Sequence, residues 1–336
     1  MAERREDEMA LASQSDRTQV KPVAAGDLDA AAFQRLAELP PEMEWFANLT
    51  NPNTRRAYRQ DVRDFAGFVG LRELEDLRRV TRAHVLAWRH RLEESDLAGS
   101  TIRRKLAALS TLFAYLADLN AIEGNPVSGV KRPVSRIQEG ASPALSPEQA
   151  RRLLDAPDPE TLIGKRDRAM LATLLFHGLR RAELCALKVN DRQQRRGAAH
   201  LRIHGKGGKI RFLPARAEAM ERIDDYLAAA GHGRDAKGAL FRPLKSHAPD
   251  GLKKALHPQG VYKIVKRHAD ATGLAADVPG FCPHSLRATA ATIALENGAD
   301  LAKVQQWLDH ASPVTTRMYD HRQAKVEDSP TFWVKV

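Results

Sequence analysis

Four side chains near the C-terminal end of the sequence could meet at one phosphate group: His284, Arg287, His310 and Tyr319. His284 and Arg287 are three residues apart, so they share a face if the segment is helical, and Pro283 just ahead of them favours a helix start. After a glycine, the next segment reads as a second helix that ends near His310, and Tyr319 follows nine residues later.

The tyrosine is the residue of this group that could act as a nucleophile. A tyrosine hydroxyl can attack a phosphodiester and form a covalent ester that conserves the energy of the broken bond. The phenol has a pKa near ~10, so neighbouring groups must stabilise charge on the phosphate and help to move the proton. Arginine and histidine side chains supply both, so the group around Tyr319 favours phosphoryl transfer.

The motifs that contain these residues resemble those of the tyrosine recombinases, also called the phage integrase family, and among them the simple Xer-like type. HSLR, WLDH and TTRMYDH match the C-terminal motifs, while GLRRAEL and GKGGKIRFLP match the upstream ones. The resemblance extends over roughly residues 40 to 325. The family's order of Arg, Lys, His-x-x-Arg, His and Tyr is filled by Arg180, Lys206, His284, Arg287, His310 and Tyr319.

The resemblance implies a role for each residue around the phosphate. The two arginines would clamp it and stabilise the pentacoordinate transition state, and the two histidines would hydrogen-bond to it, with His284 favoured as the base. Tyr319 would attack and leave a 3′-phosphotyrosine and a 5′ hydroxyl. The energy stays in the covalent link, so the chemistry implies no cofactor and no metal.

Two supporting residues lie beside the predicted catalytic set. Glu183, three residues after Arg180, could hold an arginine in place through charge-assisted hydrogen bonds. Lys206 fits a general acid that protonates the departing 5′ oxygen. Lys209 in the same glycine-rich loop is the competing candidate, and the family's GKG position favours Lys206.

The chain departs from the family pattern at two positions. Asp309 stands where glycine is often found, and aspartate is among the better substitutes for glycine in a left-handed turn. Its carboxylate could also raise the pKa of His310. Ala288 stands where histidine is often found, and Trp307, one helical turn before His310, is predicted to lie in the core. Neither departure is expected to abolish activity.

Composition supports a polyanionic partner. The chain has 336 residues, a net charge of +11 and an isoelectric point of about 9.8, which favours nucleic acid first and an anionic membrane second. No apolar run approaches the ~18 residues of a membrane span. Cys185 and Cys282 fit no zinc spacing and are predicted to be reduced thiols in a cytoplasmic, nucleoid-associated protein.

The fold class predicted from the sequence is mainly α-helical with a small β-sheet. A helical core-binding domain of SAM-like type, which clamps one face of DNA in the family, would precede a mixed α/β catalytic domain. The length suggests two domains. The predicted segments are an acidic flexible tail (1–30), the helical DNA-binding domain (31–125), a linker (126–145), and the catalytic domain with a C-terminal exchange tail (146–336).

Apolar residues at helical spacing define the predicted core-binding domain. One helix has Tyr58, Val62, Phe65 and Val69 on one stripe, and a second is capped by Thr81. A third helix, with Ser100 as its predicted cap, carries the apolar stripe Ile102, Leu106, Leu109, Phe113 and Leu116.

Basic side chains on the opposite face of the third helix, in the linker and on a later helix are candidates for contacts with DNA phosphates. Taken singly, the basic residues of the two helices are better explained as solvated surface charges, and those of the linker are explained equally well in either way. The candidates are Arg103, Arg104, Lys131, Arg132, Lys263, Lys266 and Arg267.

Two local patterns organise the predicted catalytic domain. Ser146 and Gln149 form a capping box that begins a helix. Residues 201–203 and 210–213 are predicted strands, and the glycines between them indicate a β-hairpin that contains Lys206.

The predicted partner is double-stranded DNA with specific recombination sites. The family resemblance implies a homo-tetramer on two such sites, with accessory DNA-bending or directionality factors possible and no membrane partner. The task could be integration, transposition or dimer resolution. Two alternatives remain open: a type IB topoisomerase that relaxes supercoils by the same chemistry, and a DNA-binding factor on this fold without catalysis.

An apolar cluster lies at the extreme C-terminus, where Phe332, Trp333 and Val334 follow a polar stretch. Burying a large apolar side chain is worth about 1.5–3 kcal/mol, so this cluster is expected to find a partner surface. It could fold back onto its own domain. The family resemblance favours docking into the catalytic domain of a neighbouring protomer, since a cyclic contact closes a ring of protomers.

Overall fold

The computed structural model describes residues 41–133, 142–205, 208–245, 250–310 and 312–320, which form two compact units, Met1–Arg136 and Ile137–Val336. The predicted acidic tail, Lys206, much of the predicted linker and the C-terminal exchange tail lie outside the described residues. The described parts are mainly helical with one three-stranded sheet, so the predicted fold class is confirmed.

Between residues 41 and 133, the first unit has four α-helices, with a short 3₁₀ segment, Leu74–Arg79, between the second and third. The second helix begins after Asn51, whose side chain accepts hydrogen bonds from the backbone of Asn53 and Thr54. The helices are α1 (Pro41–Asn48), α2 (Pro52–Val69), α3 (Arg82–Glu94) and α4 (Gly99–Asp118).

The apolar stripes predicted from the sequence form the core of the first unit. All five stripe residues of α4 are buried, and Phe65 of α2 packs edge-to-face against Trp88 of α3 and Phe113 of α4. The predicted cap of α4 is wrong. The helix begins at Gly99 after Ala98, so Ser100 lies inside the first turn, where its hydroxyl cannot act as the cap.

The second unit contains nine helices and the sheet within its described residues. The predicted capping box of Ser146 and Gln149 is present at the start of its first helix. The helices are α5 (Pro147–Asp155), α6 (Leu162–His177), α7 (Arg181–Ala186), α8 (Ala217–Ala230), α9 (Pro258–Ala271), α10 (Leu274–Asp277), α11 (Pro283–Glu296), α12 (Leu301–Leu308) and α13 (Pro313–Arg317).

The sheet is antiparallel in the order β1 (Arg192–Arg195), β2 (Ala198–His204) and β3 (Ile210–Pro214). β2 and β3 form the predicted hairpin, with Leu201 opposite Leu213 and both side chains buried. The prediction missed β1, because its sequence RQQR has no apolar alternation and its residues pair only with β2 at one edge.

Tight packing brings the end of α6 against the end of α12. Gly178 ends α6 in a left-handed conformation with φ of 57°, and a Cβ atom at this position would lie 2.6 Å from Leu308 Cδ2. Trp307, predicted to be core, is partly buried against the main core and against a smaller cluster that includes Tyr319. This close approach brings the chain segments around Arg180 and His310 together.

His177, the last residue of α6, is buried and held in its neutral form. Its Nδ1 lies 3.1 Å from the carbonyl of Thr173, and its Nε2 accepts a hydrogen bond from the backbone N–H of Arg216 at 3.2 Å. Nδ1 therefore carries the proton. Burial lowers the pKa of His177 to about 4, although the hydrogen bond to Thr173 opposes this.

We expect His177 to make the free energy of unfolding depend on pH. The unfolded chain binds a proton at this histidine near pH 6.5, whereas the folded chain does so only near pH 4. Stability is therefore greatest above this window and falls as the pH decreases through it, by up to about 3 kcal/mol from this residue. Denaturant titrations of wild type and His177→Gln at several pH values give the free energy of unfolding at each pH. The slope of this free energy against pH is then compared between the two proteins.

The variant should be less stable than wild type at neutral pH and should show a weaker dependence on pH. His90→Gln is the control, since His90 is exposed on the surface of α3. It should keep the wild-type slope. Equal slopes for all three proteins would contradict a neutral buried His177.

Candidate active site

Arg287 lies on the buried face of α11, where two backbone carbonyls fix its guanidinium group. Nη1 donates to the carbonyl of Gly178 at 2.6 Å, and Nη2 donates to that of Leu308. Nε is buried and has no hydrogen-bond partner among the described residues. Burial, with Arg180 nearby, lowers the pKa of Arg287 to about 10, so the group stays charged at neutral pH.

Arg180 stands at the N-terminal end of α7. Its Nη1 donates to Glu183 Oε1 at 2.9 Å, its backbone N–H donates to Glu183 Oε2 at 2.9 Å, and its Nη2 donates to the carbonyl of Asp309 at 2.9 Å. The side chain is still 38% exposed, so a ligand can reach it. The predicted role of Glu183 as the residue that holds an arginine agrees with these contacts.

Glu183 is nearly buried between two arginines. Arg211 of β3 donates to Oε1 and Oε2 of Glu183, both at 3.0 Å. Burial raises the pKa of this carboxyl, but the hydrogen bonds and charges of Arg211 and Arg180 outweigh it and hold the pKa below its ordinary value. Glu183 is therefore ionised at neutral pH.

The C-terminal end of α12 anchors both predicted catalytic arginines. Asp309 ends the helix in a left-handed conformation with φ of 53°, and helix-terminal carbonyls have no partner within the helix. The carbonyls of Leu308 and Asp309 accept hydrogen bonds from Arg287 and Arg180 respectively. Their partial negative charge suits a guanidinium group, so one helix end sets the spacing between two cations.

Tyr319 is buried with its hydroxyl directed at His284. The phenol oxygen lies 3.4 Å from Nε2 of His284, and the Tyr319 carbonyl accepts a hydrogen bond from the hydroxyl of Thr292 at 3.3 Å. Burial raises the pKa of Tyr319, whereas the charges of Arg287 and Arg180 act to lower it. The phenol is therefore protonated at neutral pH and must lose its proton to react.

His284 is placed to accept that proton. Burial lowers its pKa, and the charges of Arg287, Arg180 and Arg181 lower it further. A neutral imidazole with Nε2 facing the phenol can act as a general base. The distance of 3.4 Å is long for a hydrogen bond, as is common before a substrate binds.

His310 lies near the tyrosine ring, with ring centroids 6.1 Å apart. Its Nδ1 is 2.9 Å from the hydroxyl of Thr316. Burial and the charges of Arg287 and Arg180 lower the pKa of His310 to about 4. The Asp309 carboxylate acts to raise this pKa, as expected, but burial and the two arginines outweigh it.

Residues that are far apart in the sequence therefore lie together in one site. Glu183 and five of the six predicted catalytic residues are linked by direct contacts or by their mutual charge effects, while Lys206 lies outside the described residues. The base of its hairpin is close by: a Cβ atom at Gly205 would lie 3.7 Å from both Arg211 Nη1 and Asp309 Oδ2. Lys209 is exposed, and its carbonyl accepts a hydrogen bond from the backbone of Gly205 at 2.7 Å.

The predicted DNA-binding residues fall into three groups: those paired with buried carboxylates, those with other partners, and the remaining exposed ones. Arg104 pairs with buried Asp61, and Arg267 pairs with buried Asp167 at 2.5 Å, so both contribute to the fold. Arg103 donates to the carbonyl of Pro133, and Lys266 pairs with Asp270 on the surface. The side chains of the remaining candidates are exposed: Lys131, Arg132 and Lys263.

Two residues of the site were missed in the sequence. Arg211 lies two residues before the core residue Leu213 on β3, so the two side chains share a face of the strand. This period of two indicates that Arg211 faces inward toward the site. Thr316, the partner of His310, carries no signal of its own, because its position depends on how α13 packs.

The described ranges contain neither a candidate metal site nor a membrane-spanning helix. No group of three or more histidine, cysteine, aspartate or glutamate side chains there could hold a metal ion. No helix in the same ranges is long and apolar enough to cross a membrane.

Comparison with known proteins identifies the family. The profile of the phage integrase family matches residues 143–325, and that of the phage integrase N-terminal SAM-like domain matches residues 46–120. The chain belongs to the phage integrase family, as the motifs predicted.

Relatives cover most of the chain. Tyrosine recombinase XerC of Pelobacter propionicus is 34% identical over 272 residues, which is 81% of this chain and 85% of that protein. XerC of Roseiflexus sp. is 32% identical over 277 residues, covering 80% and 83%. XerD of Shewanella oneidensis is 31% identical over 280 residues, covering 82% and 88%. The prediction of an Xer-like tyrosine recombinase is confirmed.

Solved structures show the same fold at lower identity. A lambda integrase tetramer bound to a Holliday junction aligns with a TM-score of 0.65 and 16% identity, covering 95% of this chain and 88% of that one. XerH bound to a palindromic difH substrate aligns with a TM-score of 0.60 and 22% identity, covering 80% and 76%. These likenesses support the predicted architecture.

Proposed function

We propose that this protein is a site-specific DNA recombinase that cleaves and rejoins DNA strands through a 3′-phosphotyrosine at Tyr319. One observation carries the proposal: a buried tyrosine has its hydroxyl 3.4 Å from His284, its ring 6.1 Å from that of His310, and its pKa influenced by two arginines anchored on the same helix end. A surface tyrosine would not need such surroundings. The family membership supports the same chemistry.

The arginines supply the electrostatic part of the reaction. Arg180 is partly exposed, and Arg287 keeps a buried N–H group that has no partner among the described residues. We propose that both bind non-bridging oxygens of the scissile phosphate. Preorganised cations that face developing negative charge are typically the largest contribution to such catalysis. Their anchorage on carbonyls fixes them before the DNA arrives.

Cleavage combines one proton transfer from the tyrosine with the exchange of one bond at phosphorus for another. The phenol of Tyr319 gives its proton to Nε2 of His284 as its oxygen attacks phosphorus, and the bond from phosphorus to the 5′ oxygen breaks. We propose that Lys206 protonates that oxygen. We propose that the Thr316 hydroxyl donates to Nδ1 of His310, so that the proton of the neutral ring is on Nε2 and is donated to the phosphate. Attack by a 5′ hydroxyl from the partner strand reverses the step.

The proposed partner is double-stranded DNA with specific sites. We propose a homo-tetramer on two sites, assisted by DNA-bending or directionality factors, acting on DNA of the cytoplasmic nucleoid. The basic composition and the fold shared with recombinases solved on DNA support this. Five of the predicted contacts with phosphates have the exposure that this role requires: Arg104, Lys131, Arg132, Lys263 and Arg267.

The test is recombination between two copies of a binding site. Fragments that the protein protects can be selected from DNA flanking its gene and cloned as a direct repeat in a supercoiled plasmid. Excision of the intervening DNA that depends on both copies supports the proposal. Relaxation without any site would indicate a type IB topoisomerase instead, and site binding without cleavage would indicate a non-catalytic factor.

Removal of the C-terminal tail should affect assembly more than binding. We propose that the cluster beginning at Phe332 docks into a neighbouring protomer. Truncation after Asp328 should therefore leave binding to a single site nearly intact and weaken the pairing of two sites. Native gels and analytical ultracentrifugation with one-site and two-site DNA measure this. A truncated protein with reduced monomer stability but normal assembly would show that the tail packs on its own domain.

A further inference from the structure

Arg211 connects the β-hairpin to the catalytic arginines. It lies on β3 with its side chain directed inward, and it is only 17% exposed. Its two Nη atoms each donate to one oxygen of Glu183 at 3.0 Å, a bidentate geometry that fixes both partners. Arg180 Nη1 donates to the same Oε1 atom at 2.9 Å, so Glu183 is shared by the two arginines.

A second carboxylate lies near the same two arginines. Asp309 Oδ2 is 3.6 Å from Arg180 Nη1 and 3.9 Å from Arg211 Nη1. This is the position where the family often has glycine, so the negative charge is a feature of this chain. Arg180 and Arg211 together thus face two carboxylates, of which Glu183 is buried and Asp309 is 35% exposed.

The charges of these four residues balance only when Arg211 is present. Without it, Arg180 alone would face both Glu183 and Asp309, and the group would carry a net negative charge beside the proposed phosphate site. Such a charge would repel a phosphate and would pull the guanidinium of Arg180 toward the carboxylates. In a site of low dielectric, these effects are stronger than at an exposed surface.

We propose that Arg211 is a positioning residue that balances Glu183 and Asp309, so that Arg180 remains available to the scissile phosphate. The inference rests on the proposed recombinase function. Arg211 acts through its neighbours, because both of its Nη atoms are committed to Glu183. It also links β3, the second strand of the hairpin, to the end of α12. That helix end anchors both catalytic arginines.

The test is single-turnover cleavage of a nicked suicide substrate at saturating protein. Arg211→Gln should slow cleavage by about 10²-fold, the scale of loss when a catalytic group is misplaced by about an ångström. The Kd for single-site DNA should change little, since Arg211 makes no contact with the proposed ligand. A loss confined to Kd, with normal cleavage at saturation, would overturn the proposal.

Arg202→Gln is a matched control on the neighbouring strand. Arg202 also pairs with a buried carboxylate, with Nε 2.6 Å from Asp191 Oδ1, but none of its contacts reaches Glu183. Its loss should destabilise the sheet to a similar degree and leave cleavage by the folded protein unchanged. Equal cleavage defects in Arg202→Gln and Arg211→Gln would mean that Arg211 serves only the fold.

Asp309→Asn tests the charge balance itself. Asparagine tolerates the left-handed conformation and removes the charge. Added to Arg211→Gln, it should restore much of the lost cleavage, because Arg180 then faces one carboxylate instead of two. A double variant as slow as Arg211→Gln alone would contradict the charge argument. If wild type itself forms no adduct, the proposed function fails, and this outcome is distinct from the others.

Discussion

A Tyr319→Phe variant is expected to form no covalent complex with a suicide DNA substrate. The phenyl ring keeps the packing of Tyr319 within its small apolar cluster, and the Thr292 contact uses only the Tyr319 backbone, so folding and DNA binding should survive. The lost hydroxyl is the atom that would attack phosphorus. Denaturing gels of a substrate with a nick near the cleavage point measure the adduct directly.

Tyr226→Phe provides the matched control for this prediction. Tyr226 is also buried, and its hydroxyl accepts a hydrogen bond from the backbone of Arg242 at 3.3 Å. Its loss should cost some stability but leave adduct formation intact. A normal yield of adduct from Tyr319→Phe would remove Tyr319 from its role as nucleophile.

A Lys206→Ala variant should cleave ordinary DNA more slowly by about 10²- to 10⁴-fold, the usual contribution of a general acid. A substrate with sulfur at the 5′-bridging position has a leaving group that needs no proton. Cleavage of that substrate by the variant should therefore be largely restored. Single-turnover rates on the oxygen and sulfur substrates give the comparison.

Lys209→Ala is the control, because Lys209 is exposed in the same hairpin and carries the same charge. It should cleave both substrates like wild type. Equal defects of Lys206→Ala on the two substrates would argue against a general acid at this position. A defect of Lys209→Ala that sulfur corrects would assign the role to Lys209 instead.

Much of the architecture could be predicted because local patterns determine it. The apolar period predicted α4, the capping box of Ser146 and Gln149 predicted the start of α5, and Pro283 predicted the start of α11. The hairpin followed from its glycines. The order of the motifs indicated the family, because each match is weak alone and the set of six is specific.

The site's supporting contacts could not be predicted, because they join distant segments. Arg287 binds the carbonyls of Gly178 and Leu308, and backbone carbonyls carry no sequence signature. The pKa of His310 is lowered because burial and two arginines from distant segments outweigh the raising effect of the adjacent Asp309. Arg104 is 42% exposed on α4 and pairs with the buried carboxylate of Asp61 on α2, a partner that no local pattern indicates.

The central claim is that Tyr319 becomes covalently bound to a 3′ phosphate of DNA. The most direct measurement is protease digestion of the trapped wild-type adduct, followed by mass spectrometry of the DNA-linked peptide and end-labelling of the released strand. The account predicts one modified peptide, with the nucleotide mass on Tyr319 and a blocked 3′ end. A nucleotide on any other residue, or a linkage to the 5′ end, would contradict it.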